Sequence, residues 1–304
     1  MAATSQVPSP SAEVQLVRPR RISWQRISIR SLLYIVLIAG AVLFIMPLLW
    51  LISTSIKPET DVFLFPPNLI PSRFDFLTYP GALERYPFLQ GFRNTMIIVI
   101  GVEVGRLLSS TLAAYAFARL RFPLRNTLFI VVLSTMMLPY HVTLIPQFLI
   151  FRDFGWLDTF LPLTVPAWFA TSAFYVFLLR QFFLQIPMEY DDSAEIDGCS
   201  PIGTYWYIIL PMSLPALGAV AIFTFMAEWN DYFAPLIYLN STENYTLALH
   251  FRNWERNPTS SGIWNPPFNQ TMAIATMITI PPVLVFFFAQ RYFIQGVVIS
   301  GVKG

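Results

Sequence analysis

Cysteine, histidine and charged residues are scarce in this chain of 304 residues. The lone cysteine, Cys199, excludes an intrachain disulfide, and the two histidines, His141 and His250, are too few and too separated for a histidine metal site. Only 12% of the residues are charged, against about 25% in an ordinary soluble domain. The net charge of +2 gives no electrostatic support for binding to nucleic acid.

Motifs for nucleotide binding and hydrolysis are also missing. No G-x-x-x-x-G-K-[ST] run is present, so the chain has no P-loop that could hold nucleotide phosphates. Neither G-x-S-x-G nor H-E-x-x-H occurs. We therefore expect that this chain is not an enzyme by itself and that it binds no cofactor or metal.

Apolar residues dominate what is present. They make up 55% of the chain, 28 of them phenylalanine, and the mean hydropathy is +0.57. A soluble monomer would expose far too much apolar surface with this composition, so we predict an all-α integral membrane protein. Runs of about 20 apolar residues or more predict six transmembrane helices. These runs are 31–56, 94–118, 126–151, 160–179, 212–239 and 271–293.

The remaining segments define the predicted organisation. A polar N-terminal tail precedes the first helix, a Pro-rich connection follows it, and a region of five helices leads to a short C-terminal tail. The expected boundaries are 1–30, 31–56, 57–93, 94–293 and 294–304. With the N-terminus in the cytoplasm, eleven lysines and arginines lie inside and seven outside. This bias predicts that both termini and the loop 185–211 are cytoplasmic.

The loop 185–211, named here the surface segment, encodes two short helices joined by a corner. Acidic residues fill the first turn of the first helix, where the helix dipole stabilises them: Glu189, Asp191 and Asp192. Gly198 suits a left-handed stop, Ser200 a helix cap, and Pro201 the first position of the second helix. This chemistry leaves two interpretations open. The segment either transmits force to a cytoplasmic partner or is a solvated connection that its acids keep soluble.

The same segment resembles the EAA motif of ABC-importer permeases, which reads E-A-A, three residues, Gly, nine residues and I-x-L-P. Its positions are filled here by Asp192, Ser193, Ala194, Gly198, Ile208, Leu210 and Pro211. Two residues depart from the motif, since Asp192 replaces glutamate and Ser193 replaces the first alanine. In that family the element is the coupling helix that docks into a cleft of the ATPase subunit. The resemblance therefore implies an ATPase-coupling role for these residues and for the neighbouring Glu189 and Asp197.

Further motifs resemble carbohydrate-importer permeases, specifically the shorter, six-helix subunit of the maltose type. They lie at 54–58, 113–120, 136–139, 144–146, 229–232, 290–293 and 301–304. The resemblance implies a type I ABC importer (MetI-like) fold in the inner membrane. It also implies a second permease subunit as heterodimer partner, two ATPase subunits that carry ATP and Mg, and an extracytoplasmic sugar-binding protein.

Polar residues inside the predicted spans are candidates for a solute pathway. Five follow one another in the fifth span: Glu228, Trp229, Asn230, Asp231 and Tyr232. Carboxylates and amides bind sugar hydroxyls and aromatic rings pack on sugar rings, but a structural role is an equal alternative. In the second span, Glu103 and Arg106 are three residues apart and could pair, and Gly101 and Gly105 predict close helix packing.

Three alternative functions are weighed against a sugar permease. An ion-coupled secondary transporter would show an internal repeat, which we do not find, although Glu228 and Asp231 keep this alternative open. A membrane enzyme would need a nucleophile and base or a metal constellation, which is missing. An ABC permease for a non-sugar solute remains, but Trp229, Asn230 and Asp231 resemble the carbohydrate importers.

Overall fold

The structure is a computed structural model that describes residues 24–256 and 267–301, and the described residues contain helices and no β-strand. The α-helices are α1 (Trp24–Ser55), α2 (Glu59–Val62), α3 (Thr78–Arg85), α4 (Phe88–Arg119), α5 (Arg125–Ser134), α6 (Tyr140–Asp153), α7 (Leu161–Thr164), α8 (Ala173–Phe183), α9 (Glu189–Ile196), α10 (Pro201–Thr204), α11 (Leu210–Met212), α12 (Leu214–Asn230), α13 (Phe233–Tyr238), α14 (Leu247–Arg256) and α15 (Phe268–Gly301). Three 3₁₀ helices and one π-helix complete the described part: Thr135–Met137, Val165–Phe169, Thr242–Asn244 and the π-helix Tyr205–Ile209.

The chain divides into two units, Met1–Trp50 and Leu51–Gly304. In the first unit the described residues belong to α1, whose large apolar side chains are exposed, Phe44 to 84%. An apolar helix without a covered face is stable in lipid and not in water, so this exposure agrees with a transmembrane helix.

Four of the six expected spans coincide with long apolar helical stretches, and the other two coincide with pairs of helices that meet at a sharp bend. The long ones are Ile29–Ser55, Phe88–Arg119, Leu161–Phe183 and Phe268–Gln290. The expected third span is Arg125–Met137 followed by Tyr140–Asp153, with a bend of 98°. Pro139 lies at this break in an extended conformation, which agrees with the clash between a proline ring and the preceding helical turn.

The expected fifth span differs more from the prediction. Pro201–Met212 and α12 meet at a bend of 77°, and α12 ends at Asn230 instead of continuing to residue 239. Asp231 adopts an extended conformation, and its carboxylate accepts hydrogen bonds from the backbone N–H groups of Phe233 and Ala234. The side chain therefore competes with the helical backbone, ends α12 and starts α13.

Helix α4 packs against elements from both halves of the second unit, including α8, α12 and α14. Its glycines permit close approach, as predicted. A Cβ atom at Gly105 would lie 2.5 Å from the ring of Trp168, and one at Gly101 would lie 3.2 Å from Thr164. Three groups of candidate functional residues contact α4, one at each end of the helix and one in its middle.

Candidate functional site

The surface segment has the local structure that its sequence predicts. Glu189, Asp191 and Asp192 occupy the first turn of α9. Gly198 follows the helix with φ of +77°, and the N–H of Cys199 donates to the carbonyl of Ala194 in a Schellman-type stop.

The second helix also begins as predicted. The hydroxyl of Ser200 accepts from the N–H of Gly203, and Pro201 lies in the first turn of α10. The chain continues through the π-helix Tyr205–Ile209 into α11, so the corner at Gly198 joins two elements of defined direction.

Arg119, the last residue of α4, fixes the beginning of the surface segment. Its guanidinium donates to the carbonyl oxygens of Phe183 and Ile186 at 2.7 and 2.6 Å. It also forms an ion pair with Asp191 at 3.3 Å, and the side chain of Arg119 is only 3% exposed. One buried cation therefore holds the end of α8 and the first turn of α9 on the end of α4.

Two further side chains on the same stripe of α4 hold the second half of the segment. The hydroxyl of Tyr115 donates to the carbonyl of Pro201 at 2.9 Å, and the hydroxyls of Thr111 and Tyr205 are 2.7 Å apart. Residues 111, 115 and 119 recur every four positions and so face one side of the helix. Both halves of the surface segment are thereby attached to one helix.

The electrostatics of the Asp191 carboxyl follow from its partial burial. Desolvation raises the pKa of Asp191 above its usual value, and the guanidinium of Arg119 opposes this shift. The ion pair therefore offsets part of the cost of burying this carboxylate. The other acidic residues of the segment are exposed: Glu189, Asp192, Glu195 and Asp197.

The motif residues divide into exposed and buried ones. Ser193 and Pro211 are exposed, Ala194 is 4% exposed and packs inward, and Ile208 and Leu210 are half-buried. Two apolar side chains on the outer surface have no cover, Ile196 at 87% exposure and Ile202 at 69%. The segment contains five acids and no lysine or arginine. Its outward surface therefore combines negative charge with exposed apolar groups.

The middle of the fold contains a polar cluster whose pairing differs from the prediction. Arg106 does not pair with Glu103 on its own helix. It forms an ion pair of 2.9 Å with Glu228 of α12, and its guanidinium lies 5.2 Å from the ring centre of Tyr175. The carboxylate oxygens of Glu103 are buried and have no hydrogen-bond partner in the described chain. The packing of α12 against α4 decides this pairing. The spacing of residues along one helix gives no information about that packing.

The five candidate pathway residues do not act as one group. Glu228 is engaged by Arg106, and Trp229 is 2% exposed with its N–H donating to the carbonyl of Ile278 at 3.2 Å. Asp231 caps α13, as described above. Asn230 and Tyr232 are exposed at the break between α12 and α13. These two are therefore the members of the set whose side chains are accessible to a solute.

The opposite end of α4 carries a network that the sequence did not indicate. Asp158, in the loop before α7, accepts hydrogen bonds from the N–H groups of Asn240 and Ser241 at 2.9 Å each, and from the hydroxyl of Ser241. These bonds hold the pKa of Asp158 well below its usual value. The side chain of Asn94 on α4 donates to the carbonyl of Tyr245 at 3.0 Å, which ties the same loop to α4.

Sequence reasoning also missed the roles of Arg119, Tyr115 and Asp158. Arg119 was visible as part of the 113–120 motif, and a single arginine at the end of an apolar run is a signal for an anchoring role. Tyr115 lies in the same motif, but its hydrogen-bond partner is 86 residues away in sequence, and Asp158 belongs to no motif and has its partner 83 residues away.

Comparisons with known proteins identify the family. Residues 107–299 match the family described as the binding-protein-dependent transport system inner membrane component. The sn-glycerol-3-phosphate transport system permease protein UgpE of Yersinia enterocolitica is 32% identical over 273 residues, which cover 88% of this chain and 95% of that protein. The UgpE protein of Rhizobium meliloti is 31% identical over 87% of this chain and 94% of its own length.

The fold has a counterpart among solved structures. A chain from the crystal structure of a bacterial ABC transporter involved in the import of the acidic polysaccharide alginate superposes with a TM-score of 0.77. It covers 89% of this chain and 98% of its own length at 24% sequence identity, which supports the likeness of the fold. The chain belongs to the family of inner membrane components of binding-protein-dependent transport systems, and it is a multi-pass, all-α permease subunit of an ABC importer.

Proposed function

We propose that this chain is one of two permease subunits in an importer driven by ATP hydrolysis. Two separate ATPase subunits bind ATP and Mg and carry out the hydrolysis. The observation that carries the proposal is the attachment of both halves of the surface segment to α4 through Arg119, Tyr115 and Thr111. The same helix carries Arg106, whose ion pair reaches α12 in the middle of the fold. A displacement of the segment would therefore move α4 and α12 with it.

The ATPase would dock on the outward surface of this segment. Exposed Ile196 and Ile202 suit an apolar cleft, and five acids without a basic residue call for a partner surface with positive charge. Closure of the ATPases on ATP would draw the segments of the two permeases together and switch the access of a central cavity from one side to the other. Nucleotide binding on the partner supplies the free energy for this change.

In this arrangement the surface segment and both termini lie in the cytoplasm, and an extracytoplasmic binding protein delivers the solute at the opposite end of α4. The distribution of lysine and arginine supports this orientation. Thr95 and Tyr115 lie near the two ends of α4, and twenty residues of helix span about 30 Å, which matches the hydrocarbon core of a bilayer.

The cargo we propose is a sugar, an oligosaccharide or a related polyol compound. Relatives named for sn-glycerol 3-phosphate transport and a structural counterpart from an alginate importer support this class. Asn230 and Tyr232 offer an amide, a hydroxyl and an aromatic face to a polyhydroxylated solute. Glu228, Trp229 and Asp231 support these two residues through their contacts with Arg106, Ile278 and α13.

Replacing Gly198 tests the coupling role directly. A Cβ atom at Gly198 would meet no atom of this chain within 4 Å, so within this chain a substitution there acts through the backbone. The φ of +77° excludes β-branched residues, whereas asparagine tolerates left-handed conformations. In the assembled complex in proteoliposomes, Gly198→Val should lower the solute imported per ATP at least severalfold, and Gly198→Asn should keep most of it.

The solute for this assay is chosen by a thermal-shift screen of sugars and polyol phosphates against the associated binding protein. Membrane insertion is checked by the yield of the assembled complex. Wild-type uptake per ATP in Gly198→Val would contradict the coupling role of the segment.

A further inference from the structure

A cavity of about 350 Å³ lies at the end of α4 opposite the surface segment, between the end of α12, α14 and α15. Its walls include Asn230 and Tyr232 from the break after α12, and Phe251 and Arg252 from α14. Trp229 and Ile278 add apolar lining. The volume is at the small end of the range for small-molecule sites, which suits a solute of monosaccharide size or smaller.

The position of α14 is fixed by its buried face. The N–H of Leu247 donates to the hydroxyl of Thr95 at 2.9 Å, and the hydroxyl of Tyr86 donates to the carbonyl of Leu247 at 2.8 Å. Leu249 and Trp254 are buried on the same helix. With this face fixed in the core, Phe251 packs against the core and lines the cavity, and Arg252 lines the cavity beside it.

The polar groups at the cavity have capacity to bind a ligand. Asn230 uses one N–H for the carbonyl of Met226, which leaves its side-chain oxygen free to accept. Within the described part of the chain, the hydroxyl of Tyr232 and the guanidinium of Arg252 make no hydrogen bond or ion pair, and none of the lining residues is acidic. A half-buried guanidinium that lies beside aromatic walls and has no counter-ion among the described residues favours a carboxylate or phosphate.

We propose that this cavity is a reception site for an anionic polyol or sugar, in which Arg252 binds the carboxylate or phosphate and Asn230 and Tyr232 bind hydroxyls. The inference rests on the proposed function, because it places the site where a binding protein would release its solute. The aromatic faces of Tyr232 and Phe251 pack against the carbon skeleton. The site binds anionic solutes in preference to uncharged ones before the solute enters the interior of the transporter.

The test measures ligand binding to the purified complex in phosphatidylcholine nanodiscs without binding protein, by saturation-transfer NMR titration. The probes are sn-glycerol 3-phosphate and D-glucuronate, each compared with its uncharged counterpart, glycerol or D-glucose. The complex should bind at least one anionic probe about tenfold more tightly than its counterpart, because a charge-assisted hydrogen bond contributes that much. Arg252→Gln should remove this preference, and Arg252→Lys should keep part of it.

Arg85→Gln is the matched control, because Arg85 is exposed on α3 and does not line the cavity. Equal binding of charged and uncharged probes, or an unchanged preference in Arg252→Gln, overturns the inference. So does loss of the preference when phosphatidylglycerol is added to the nanodiscs, since Arg252 would then hold a lipid headgroup.

A second measurement separates this site from the docking surface of the binding protein. The binding protein is titrated against ATPase activity for the wild type and Arg252→Gln. A shift in its half-saturating concentration with unchanged probe binding assigns Arg252 to protein docking and overturns the inference. ATP-dependent uptake by the wild-type complex tests the proposed function separately. This uptake is expected whether or not Arg252 binds anions.

Discussion

Arg119→Met removes the cation that joins the surface segment to α4 while keeping a long apolar side chain in its place. In the wild type the guanidinium donates hydrogen bonds to the carbonyls of Phe183 and Ile186 and forms an ion pair with Asp191, and the side chain of Arg119 is 3% exposed. The variant leaves the two carbonyls without their donor and the partly buried carboxylate of Asp191 without its counter-charge. We expect the beginning of the segment to detach from the end of α4.

The magnitude follows from the loss of one partner of a buried pair. Breaking such a pair costs about 3–5 kcal/mol, because the remaining charge and carbonyls stay desolvated without compensation. At about 1.4 kcal/mol per factor of ten, the population of the detached state rises by roughly two to three and a half orders of magnitude. Partial exposure of Asp191, 15% for its side chain, places the expected value at the lower end of that range.

Hydrogen exchange of residues 187–201 in the purified complex measures this change. Backbone amides of α9 should exchange about a hundredfold faster in Arg119→Met, and the solute imported per ATP should fall in parallel. The double variant Arg119→Met with Asp191→Asn should recover part of the protection, because an amide is less costly to bury unpaired than a carboxylate. Unchanged exchange in the single variant would refute the reasoning.

Three further predictions concern packing and pH. Gly105→Ala should lower the stability of the complex by about 1–3 kcal/mol, because its Cβ would lie 2.5 Å from Trp168. Gly40→Ala, with no atom within 4 Å, should be neutral in the same thermal unfolding assay. Asp158→Asn should lower the unfolding midpoint at neutral pH. The difference should begin to shrink as the pH falls below about 4, the unfolded pKa of an aspartate, and should vanish only as the pH falls through the lower folded pKa of Asp158. Burial lowers the pKa of His250 to about 4, so the contribution of neutral His250 to stability is complete above pH 6.5 and is lost as the pH falls through 4. His250→Phe should flatten the dependence of the unfolding midpoint on pH in this range, and an unchanged dependence would contradict the prediction.

The sequence determined the class of the protein and the local structure of its surface segment. Apolar runs long enough to cross a bilayer predict the spans, since length and composition suffice for that conclusion. The corner of the segment was equally predictable, because Gly198, Ser200 and Pro201 act through backbone conformations and hydrogen bonds over a few residues. Resemblance of these motifs to importer permeases supplied the family, which the comparisons confirm.

Tertiary structure alone decided which polar groups meet. Arg106 pairs with Glu228 and not with Glu103, three residues away on its own helix, because the packing of α12 on α4 brings Glu228 within 2.9 Å. Asp231 ends a helix that hydropathy predicts to continue, since its carboxylate binds two backbone N–H groups. A run of apolar residues specifies that a helix forms and enters the membrane. It does not specify the rotation or register of that helix against its neighbours, and those two quantities determine every contact between distant residues.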